Sequence, residues 1–387
     1  MKYNIFHLDM DCFFASIEEK NNNTYKKIPM IVGGTNGKGV VASANKMAKN
    51  IQIKSGMKIY QALNIFPKLK IENCKMDLYK KISDDIYNYL KMMFKYVEIG
   101  SIDEWFIDTN DSQFENWNEQ EFASFLKNQI YKKFDLSCTI GCSWNKFLAK
   151  TATNISKKNN FTLLTHDNFQ KIIGNLTINQ MHFVGKKTAS ILNEYNIKKI
   201  GDLYNINPTI DFILYKKIGI NWINIKNNAL GYGKQKIQNH IKQKTIEKSR
   251  VVKNLSKYSE FKEIIVEMVN SLNKTLKNMN YSYTNILMKI YFYNKRNANI
   301  LIKNNESNDF VSKKTLLSYF NLNIDNSVYS DITKVAISLS YIQNNSLKFE
   351  QLNFLKNNED SLNDLIVSVN NKLNKNILFK SSILKKL

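Results

Sequence analysis

The stretch Val97-Glu98-Ile99-Gly100-Ser101-Ile102-Asp103-Glu104-Trp105-Phe106-Ile107-Asp108 limits the possible folds more than any other part of the chain. Two β-prone runs flank Gly100 and Ser101, residues suited to a tight turn. Asp103 and Glu104 stand side by side between Ile102 and Trp105, where a strand buries apolar side chains. Carboxylates placed there are costly unless something cationic is bound. Neighbours along a strand point to opposite faces, so both acids reach one ion only beside a turn or sheet edge, which Gly100-Ser101 offers. A second acidic pair, Asp9 and Asp11, closes the first apolar run, Ile5-Phe6-His7-Leu8-Asp9-Met10-Asp11. Two strands that each end in carboxylates make a candidate site for hard divalent cations. Either pair alone is also explained by helix capping or by pairing with lysine. Asp11 fits capping better than Asp9 does, because Phe13-Phe14-Ala15-Ser16-Ile17-Glu18 opens a helix.

Charge and length bound the rest. The 387 residues suffice for two to four domains of ordinary size, and a net charge of +23 describes a molecule attracted to a polyanion. Nucleic acid is the commonest polyanion; a membrane surface is the rival. Of the 56 basic residues only Arg250 and Arg296 are arginine, and Asn, Lys and Ile abound, so AT-rich coding accounts for part of the lysine excess. No apolar run of about 18 residues is present to span a bilayer. The N-terminus enters a strand-like segment without the pattern of a signal peptide, so the expected compartment is the cytoplasm. Cys12, Cys74, Cys138 and Cys142 are scattered without a CxxC, and the four histidines are dispersed, which argues against disulfides, zinc knuckles and His-rich metal sites.

In chain order, residues 1–12 read as a buried strand and Phe13 to Lys20 as a helix. Met30 to Gly33 and Val40 to Ala42 read as strands joined by Gly34-Thr35-Asn36-Gly37-Lys38-Gly39. That loop is a plain hairpin rather than a P-loop, since Gly39 follows Lys38 and a strand follows the loop. Apolar residues at helical spacing from Leu78 to Val97 predict a long amphipathic helix leading into the acidic hairpin. A helix over Glu119 to Phe134 and a strand over Cys138 to Cys142 complete an α+β layer, with helices expected on one face of a mainly antiparallel sheet. In the next helix, Lys146, Lys150 and Lys157 fall on one stripe, opposite Leu148 and Ile155. Residues 166–235 form a smaller helical unit in which Gly185-Lys186-Lys187 opens a helix and presents backbone N–H groups to phosphate. A polar, lysine-rich linker follows at 236–246. Beyond it lies a second α+β unit with alternation at Ile286, Met288, Ile290 and Phe292, and again at Val335, Ile337, Leu339 and Tyr341. Residues 349–387 form a tail with one helix.

Asp9-Met10-Asp11-Cys12-Phe13-Phe14-Ala15-Ser16-Ile17-Glu18 together with Ser101-Ile102-Asp103-Glu104 closely resembles the Y-family, or lesion-bypass, DNA polymerases of the bacterial polymerase IV and V type. The resemblance continues through Asn145-Lys146-Phe147-Leu148-Ala149-Lys150, Val184-Gly185-Lys186-Lys187-Thr188 and Ile200-Gly201-Asp202-Leu203, over nearly the whole chain and in order. It implies a multidomain α+β right hand: palm at 1–12 and 78–165, small fingers at 13–77, helical thumb at 166–235, and α+β little finger at 247–348. It further implies template-directed, low-fidelity DNA synthesis by a monomeric catalytic subunit, with primer–template DNA and deoxynucleoside triphosphate (dNTP) as partners and no membrane.

By the same resemblance Asp9, Asp103 and Glu104, with the Met10 carbonyl, hold two Mg²⁺ ions. Phe13, Phe14, Ser43, Lys49 and Lys157 face the incoming dNTP, Phe14 as the steric gate against a ribose 2′-OH. Gly185, Lys186, Lys187 and Arg250 contact DNA. Gln351, Leu352, Phe354 and Leu355 resemble the short peptide that holds a sliding clamp; the alternative is a loop packed on the little finger. The helical tail beyond that peptide leans towards the polymerase V branch. Lys46 and Lys49 stand where the family commonly has tyrosine and arginine, and Lys49 keeps the charge without the bidentate fork. Phe183 occupies a usual glycine of the thumb turn. A palm-fold nucleotide cyclase and a non-catalytic DNA-repair scaffold are the rival readings.

Overall fold

The computed structural model describes residues 3–34, 39–156, 161–233, 237, 244–252, 255, 257–294, 296–323 and 330–344. The chain divides into two compact units, Met1–Ile241 and Lys242–Leu387. Lys157, the loop at 35–38 and the tail at 349–387 with its clamp-like peptide lie outside the described residues.

The first unit is built around a five-stranded sheet in the order Tyr96–Ile99, Glu104–Asp108, Ile5–Met10, Cys138–Ser143, Phe161–Leu163. All neighbours are antiparallel except the last pair. Ile5–Met10 is central, running Ile5↔Asp108 to Asp9↔Glu104 on one side and Ile5↔Ser143 to Met10↔Cys138 on the other. Alternation sends Phe6, Leu8, Met10, Trp105, Ile107 and Ile140 to one face, all buried. They join Ile86 and Leu90 of the helix Met76–Met93 and Phe122, Leu126 and Ile130 of the helix Glu119–Phe134 in one core. Each such side chain contributes about 1.5–3 kcal/mol on burial. The helix Glu119–Phe134 starts where Asn118 accepts from the N–H groups of Gln120 and Glu121, and acids lead while lysines close it, as the helix dipole favours.

The opposite face is covered too, which corrects the expectation of helices on one side only. Gly141 permits this. A Cβ there would lie 2.3 Å from both the Ala149 carbonyl and the Thr153 nitrogen, so the missing side chain lets the helix Lys146–Ile155 sit directly on the sheet. Leu148 is buried in that helix, whereas Ile155 is exposed rather than facing the core as its spacing predicted.

In the chain between the strand Ile5–Met10 and the helix Met76–Met93 lies a small sheet, Val41–Ala44, Met30–Gly33, Lys70–Asn73, the first two antiparallel. The third joins in parallel and has no alternation in the sequence to mark it. Fully buried Asn45 ties the layer together. Its side-chain oxygen accepts from the N–H groups of Met30 and Ala48, and its amide donates to Glu19, Tyr25 and Ile28. After the main sheet come the helices Phe169–Gly174, Lys186–Glu194, Pro208–Ile218 and Ile220–Ala229, gathered on a core with Leu192, Leu214 and Trp222.

The second unit is an antiparallel sheet in the order Asn297–Asn308, Tyr281–Phe292, Ile332–Ser340, Thr245–Val251. Ile286, Met288 and Ile290 meet Phe261, Ile265 and Leu272 of the helix Tyr258–Met279 in its core. Two boundaries differ from expectation. Thr245 and Ile246 already belong to a strand, so the polar linker ends before 245. Tyr341 leaves the alternation: it has φ 56° and is exposed, just past the strand end.

Candidate active site

Asp9 sits one residue from the C-terminal end of the central strand, and its Cα partner across the sheet is Glu104. Directly opposed residues share a face, so the two carboxylates project to the same side, towards the helix Lys146–Ile155. Asp103 approaches from the turn: the Met10 N–H donates to the Asp103 carbonyl at 2.9 Å, and the Ser101 hydroxyl donates to the Asp103 carboxylate. The three acids singled out from the sequence are therefore brought to one corner, with the Met10 backbone tied beside them. Asp11 does not cap its helix. Thr139 donates to its carboxylate at 2.7 Å, and the helix Phe13–Asn21 starts from Cys12, with φ 52° and no side-chain cap. The Ala15 N–H instead meets the Ser43 hydroxyl at 3.4 Å, and that hydroxyl donates to the Cys12 carbonyl at 3.2 Å.

Charge at the corner is set by residues that the sequence left unpaired. Lys150 donates to Glu104 Oε2 at 2.5 Å, and one helical turn earlier Lys146 donates to both oxygens of buried Glu98, at 2.7 and 2.9 Å. Thus the first two lysines of the predicted stripe are matched by protein carboxylates. His7, two residues before Asp9 and wholly buried, contacts Thr153 Oγ1 through Nδ1 at 3.0 Å. The Thr153 hydroxyl faces the carbonyls of His7 and Ala149 at 3.0 and 3.1 Å. Giving its proton to one of them, it accepts from Nδ1–H, which leaves His7 Nε2 bare. That atom is 3.8 Å from Glu104 Oε2, too long for a hydrogen bond. Burial holds the His7 pKa below the ordinary imidazole value. Burial also pushes the Glu104 carboxyl upward, but the Lys150 ammonium on Oε2 outweighs this and holds it below the usual carboxylate range. Since His7 is neutral, Lys150 is the cation that fixes Glu104 as a carboxylate.

Among the described residues no three His, Cys, Asp or Glu side chains form a ready-made metal cluster. The donor set nevertheless fits a hard cation: it is all oxygen, and a lysine ammonium already rests on one of its members.

Next to the acids stands an aromatic wall. Phe14 stacks on Tyr79 with ring centroids 4.5 Å apart and planes at 13°. The Tyr79 hydroxyl donates to buried Glu18 at 2.7 Å, and Lys75 donates to the same carboxylate at 2.6 Å. Tyr79 was not legible as a site residue, because on its helix it reads as one more core position. Phe13 is buried with its ring in the core, so only its main chain is left for a nucleotide. Lys49 lies across the same corner, its ammonium 2.9 Å from Cys12 Sγ.

The residues expected to contact DNA lie elsewhere. Gly185 starts the helix Lys186–Glu194 without a side-chain cap and with open space around its α-carbon; Lys186 and Lys187 are exposed beside it. Arg250 forms an exposed ion pair with Glu267. By alternation it shares the helix-covered side of its sheet with Ile246, while Lys289, Lys303 and Lys334 share the open side with Tyr291.

Residues 8–154, which contain these acids and lysines, match the impB/mucB/samB family. DNA polymerase IV of Oceanobacillus iheyensis is 29% identical over 297 residues, 76% of this chain and 70% of that protein. DNA polymerase IV of Lactococcus lactis subsp. cremoris is 28% identical over 74% of this chain and 80% of its own, and that of Clostridium perfringens is 37% identical over 51% and 56%. In three dimensions the fold is that of a Y-family DNA polymerase chimera of Dbh and Dpo4, with a TM-score of 0.71 over 87% of this chain and 98% of the other at 24% identity. DinB from Sulfolobus solfataricus matches the same shares with a TM-score of 0.61 at 24% identity. Residues 8–154 thus match the impB/mucB/samB family, and the fold is similar to that of solved Y-family DNA polymerases. Those relatives carry the name DNA polymerase IV, against the lean towards polymerase V taken from the tail.

Proposed function

We propose that the chain is a template-directed, low-fidelity DNA polymerase for damaged templates, transferring nucleotidyl groups from dNTP to a primer 3′-OH. The observation that carries the reading is the opposition of Asp9 and Glu104 at one end of the central strand, with Asp103 tied to the Met10 backbone beside them. The cyclase and scaffold readings find no support among the relatives.

Asp9, Asp103, Glu104 and the Met10 carbonyl would hold two Mg²⁺ ions, which, when bound, lower the pKa of the attacking hydroxyl and neutralise the triphosphate. Lys150 keeps Glu104 ionised, with its carboxylate already oriented, before any cation arrives. Phe14, braced flat against Tyr79, sets the wall that a ribose 2′-OH would meet. Lys49, and Lys157 outside the described residues, reach for the triphosphate. Ser43 acts through the main chain it holds at Cys12 and Ala15. Lys186 and Lys187 grip phosphates beside Gly185, where no side chain keeps a backbone away. Arg250 adds to this grip by exchanging Glu267 for a phosphate. We assign the palm, fingers, thumb and little finger the boundaries given above, with the little finger starting at Thr245. Gln351, Leu352, Phe354 and Leu355 dock on a sliding clamp. Among the described residues no helix is long and apolar enough to cross a membrane, and the enzyme works in the cytoplasm on chromosomal DNA.

The test is primer extension with Mg²⁺ on an undamaged template, comparing the parent with Asp9→Asn, Asp103→Ala and Glu104→Ala. Extension by the parent and its loss in all three variants is the expected result. A parent that binds DNA but adds no nucleotide, even with a clamp present, would leave the scaffold reading in its place.

A further inference from the structure

Phe183 is held in a backbone conformation that side-chain-bearing residues avoid, with φ 73°. Glycine would adopt the same turn without strain. The ring is not retained for burial either, since the residue is 68% exposed. Its ring lies against that of His182, with centroids 4.0 Å apart and planes at 56°. A strained residue that gains nothing from the core is a reason to look at what it faces.

The two rings line a cavity of about 640 Å³ inside the first unit. Its other walls are Glu98 to Gly100, on the arm of the hairpin that leads to Asp103 and Glu104, the lysines Lys146 and Lys150, and three asparagines of the helix Ile220–Ala229. Both lysines are already matched by Glu98 and Glu104, and Phe106 and Phe147 complete the lining, so the cavity is more apolar than polar and not strongly basic. Such a lining suits no bare phosphate. Amides and aromatic rings suit the sugar and base-edge side of a nucleotide, and the minor groove offers acceptors to amide donors.

On the polymerase reading, which this inference deepens, the 3′-OH under attack sits at the carboxylate corner. The nucleotides behind it then run along the Glu98–Gly100 arm and through this cavity. We infer that Phe183 is a primer-positioning residue whose ring packs on the deoxyribose face of the nucleotides just behind the primer terminus. The strain in the turn is tolerated because the ring replaces a bare backbone with a contact to the sugar.

The full chain and its Phe183→Gly and Phe183→Tyr variants are compared on one primer–template, each strand end-labelled in turn. Phe183→Gly releases the strain, so its melting temperature rises by about 2–4 °C. Loss of the ring weakens primer–template binding roughly tenfold, while KM for dNTP stays at the parent's value. Hydroxyl-radical footprinting, which reads sugar exposure, shows primer sugars near the terminus protected by the parent and by Phe183→Tyr and exposed with Phe183→Gly. The inference is overturned if Phe183→Gly binds DNA as tightly as the parent, if the primer footprint is unchanged, or if the footprint changes on the template strand alone. Failure of the parent itself to extend a primer would instead count against the polymerase reading.

Discussion

At the scale of single residues, the acids were legible and their partners were not. Asp9, Asp103 and Glu104 interrupt apolar runs, and an acid where a strand should bury hydrocarbon stands out in any sequence. Lys150 carries no such mark, because whether a lysine on a helix meets water, phosphate or a carboxylate is decided by what packs beneath it. The same holds for Lys146. Replacing it by methionine takes from buried Glu98 a lysine that meets both its oxygens. We expect a loss of about 1–3 kcal/mol, read as a lower urea midpoint with an unchanged slope. A second residue-scale prediction concerns alkali. Tyr283 is buried, donates to the Phe310 carbonyl at 3.0 Å, and has its pKa pushed up to about 12 by burial. An unfolded tyrosine ionises near pH ~10, so the folded state holds its proton longer. The stabilisation is complete below pH ~10 and is lost as pH climbs towards 12. Tyr283→Phe should therefore be slightly less stable at neutral pH and lose less between pH 10 and 12, as checked by thermal melts across that range.

At the scale of elements, periodicity located most strands and helices but not the faces they share. The helix Lys146–Ile155 could be read from its spacing; that it lies on the far side of the sheet depends on Gly141, a residue that looks like an ordinary strand glycine. Gly141→Ala would press a methyl into the Ala149 carbonyl and the Thr153 backbone. The helix must lift, taking Lys150 away from Glu104 and Thr153 away from His7. Overpacking of this kind costs about 1–3 kcal/mol. Primer extension should fall at least tenfold at temperatures where the variant is still folded, with circular dichroism establishing that it is. Unimpaired extension by a folded Gly141→Ala would show that the helix contact does not position the site. The parallel strand Lys70–Asn73 escaped the sequence for a different reason: four residues with no alternation carry too little pattern.

At the scale of the molecule, the charge of +23 is almost all lysine, and composition cannot say which lysines meet DNA. Among the described residues, the open side of the second unit's sheet gathers Lys289, Lys303 and Lys334, while the cavity lysines of the first unit are matched internally. Binding to a primer–template should thus depend steeply on salt. With about 6–10 phosphates contacted, affinity falls roughly 10³–10⁵-fold between 50 and 200 mM salt. Fluorescence anisotropy over that range gives the slope, and a slope near zero would mark the lysine excess as compositional only.

The order of strands in the main sheet has a consequence for how the protein is made. The strand Ile5–Met10 lies at the centre, yet both its neighbours, Glu104–Asp108 and Cys138–Ser143, are encoded about a hundred residues later. On the ribosome this apolar segment waits for its partners for roughly 5–30 s at ordinary elongation rates. Until then Asp9 has no Glu104 opposite it, so the carboxylate corner cannot form before the strand Glu104–Asp108 has been made. Pausing of translation before Ser143 should leave nascent chains that need a chaperone to shield that strand.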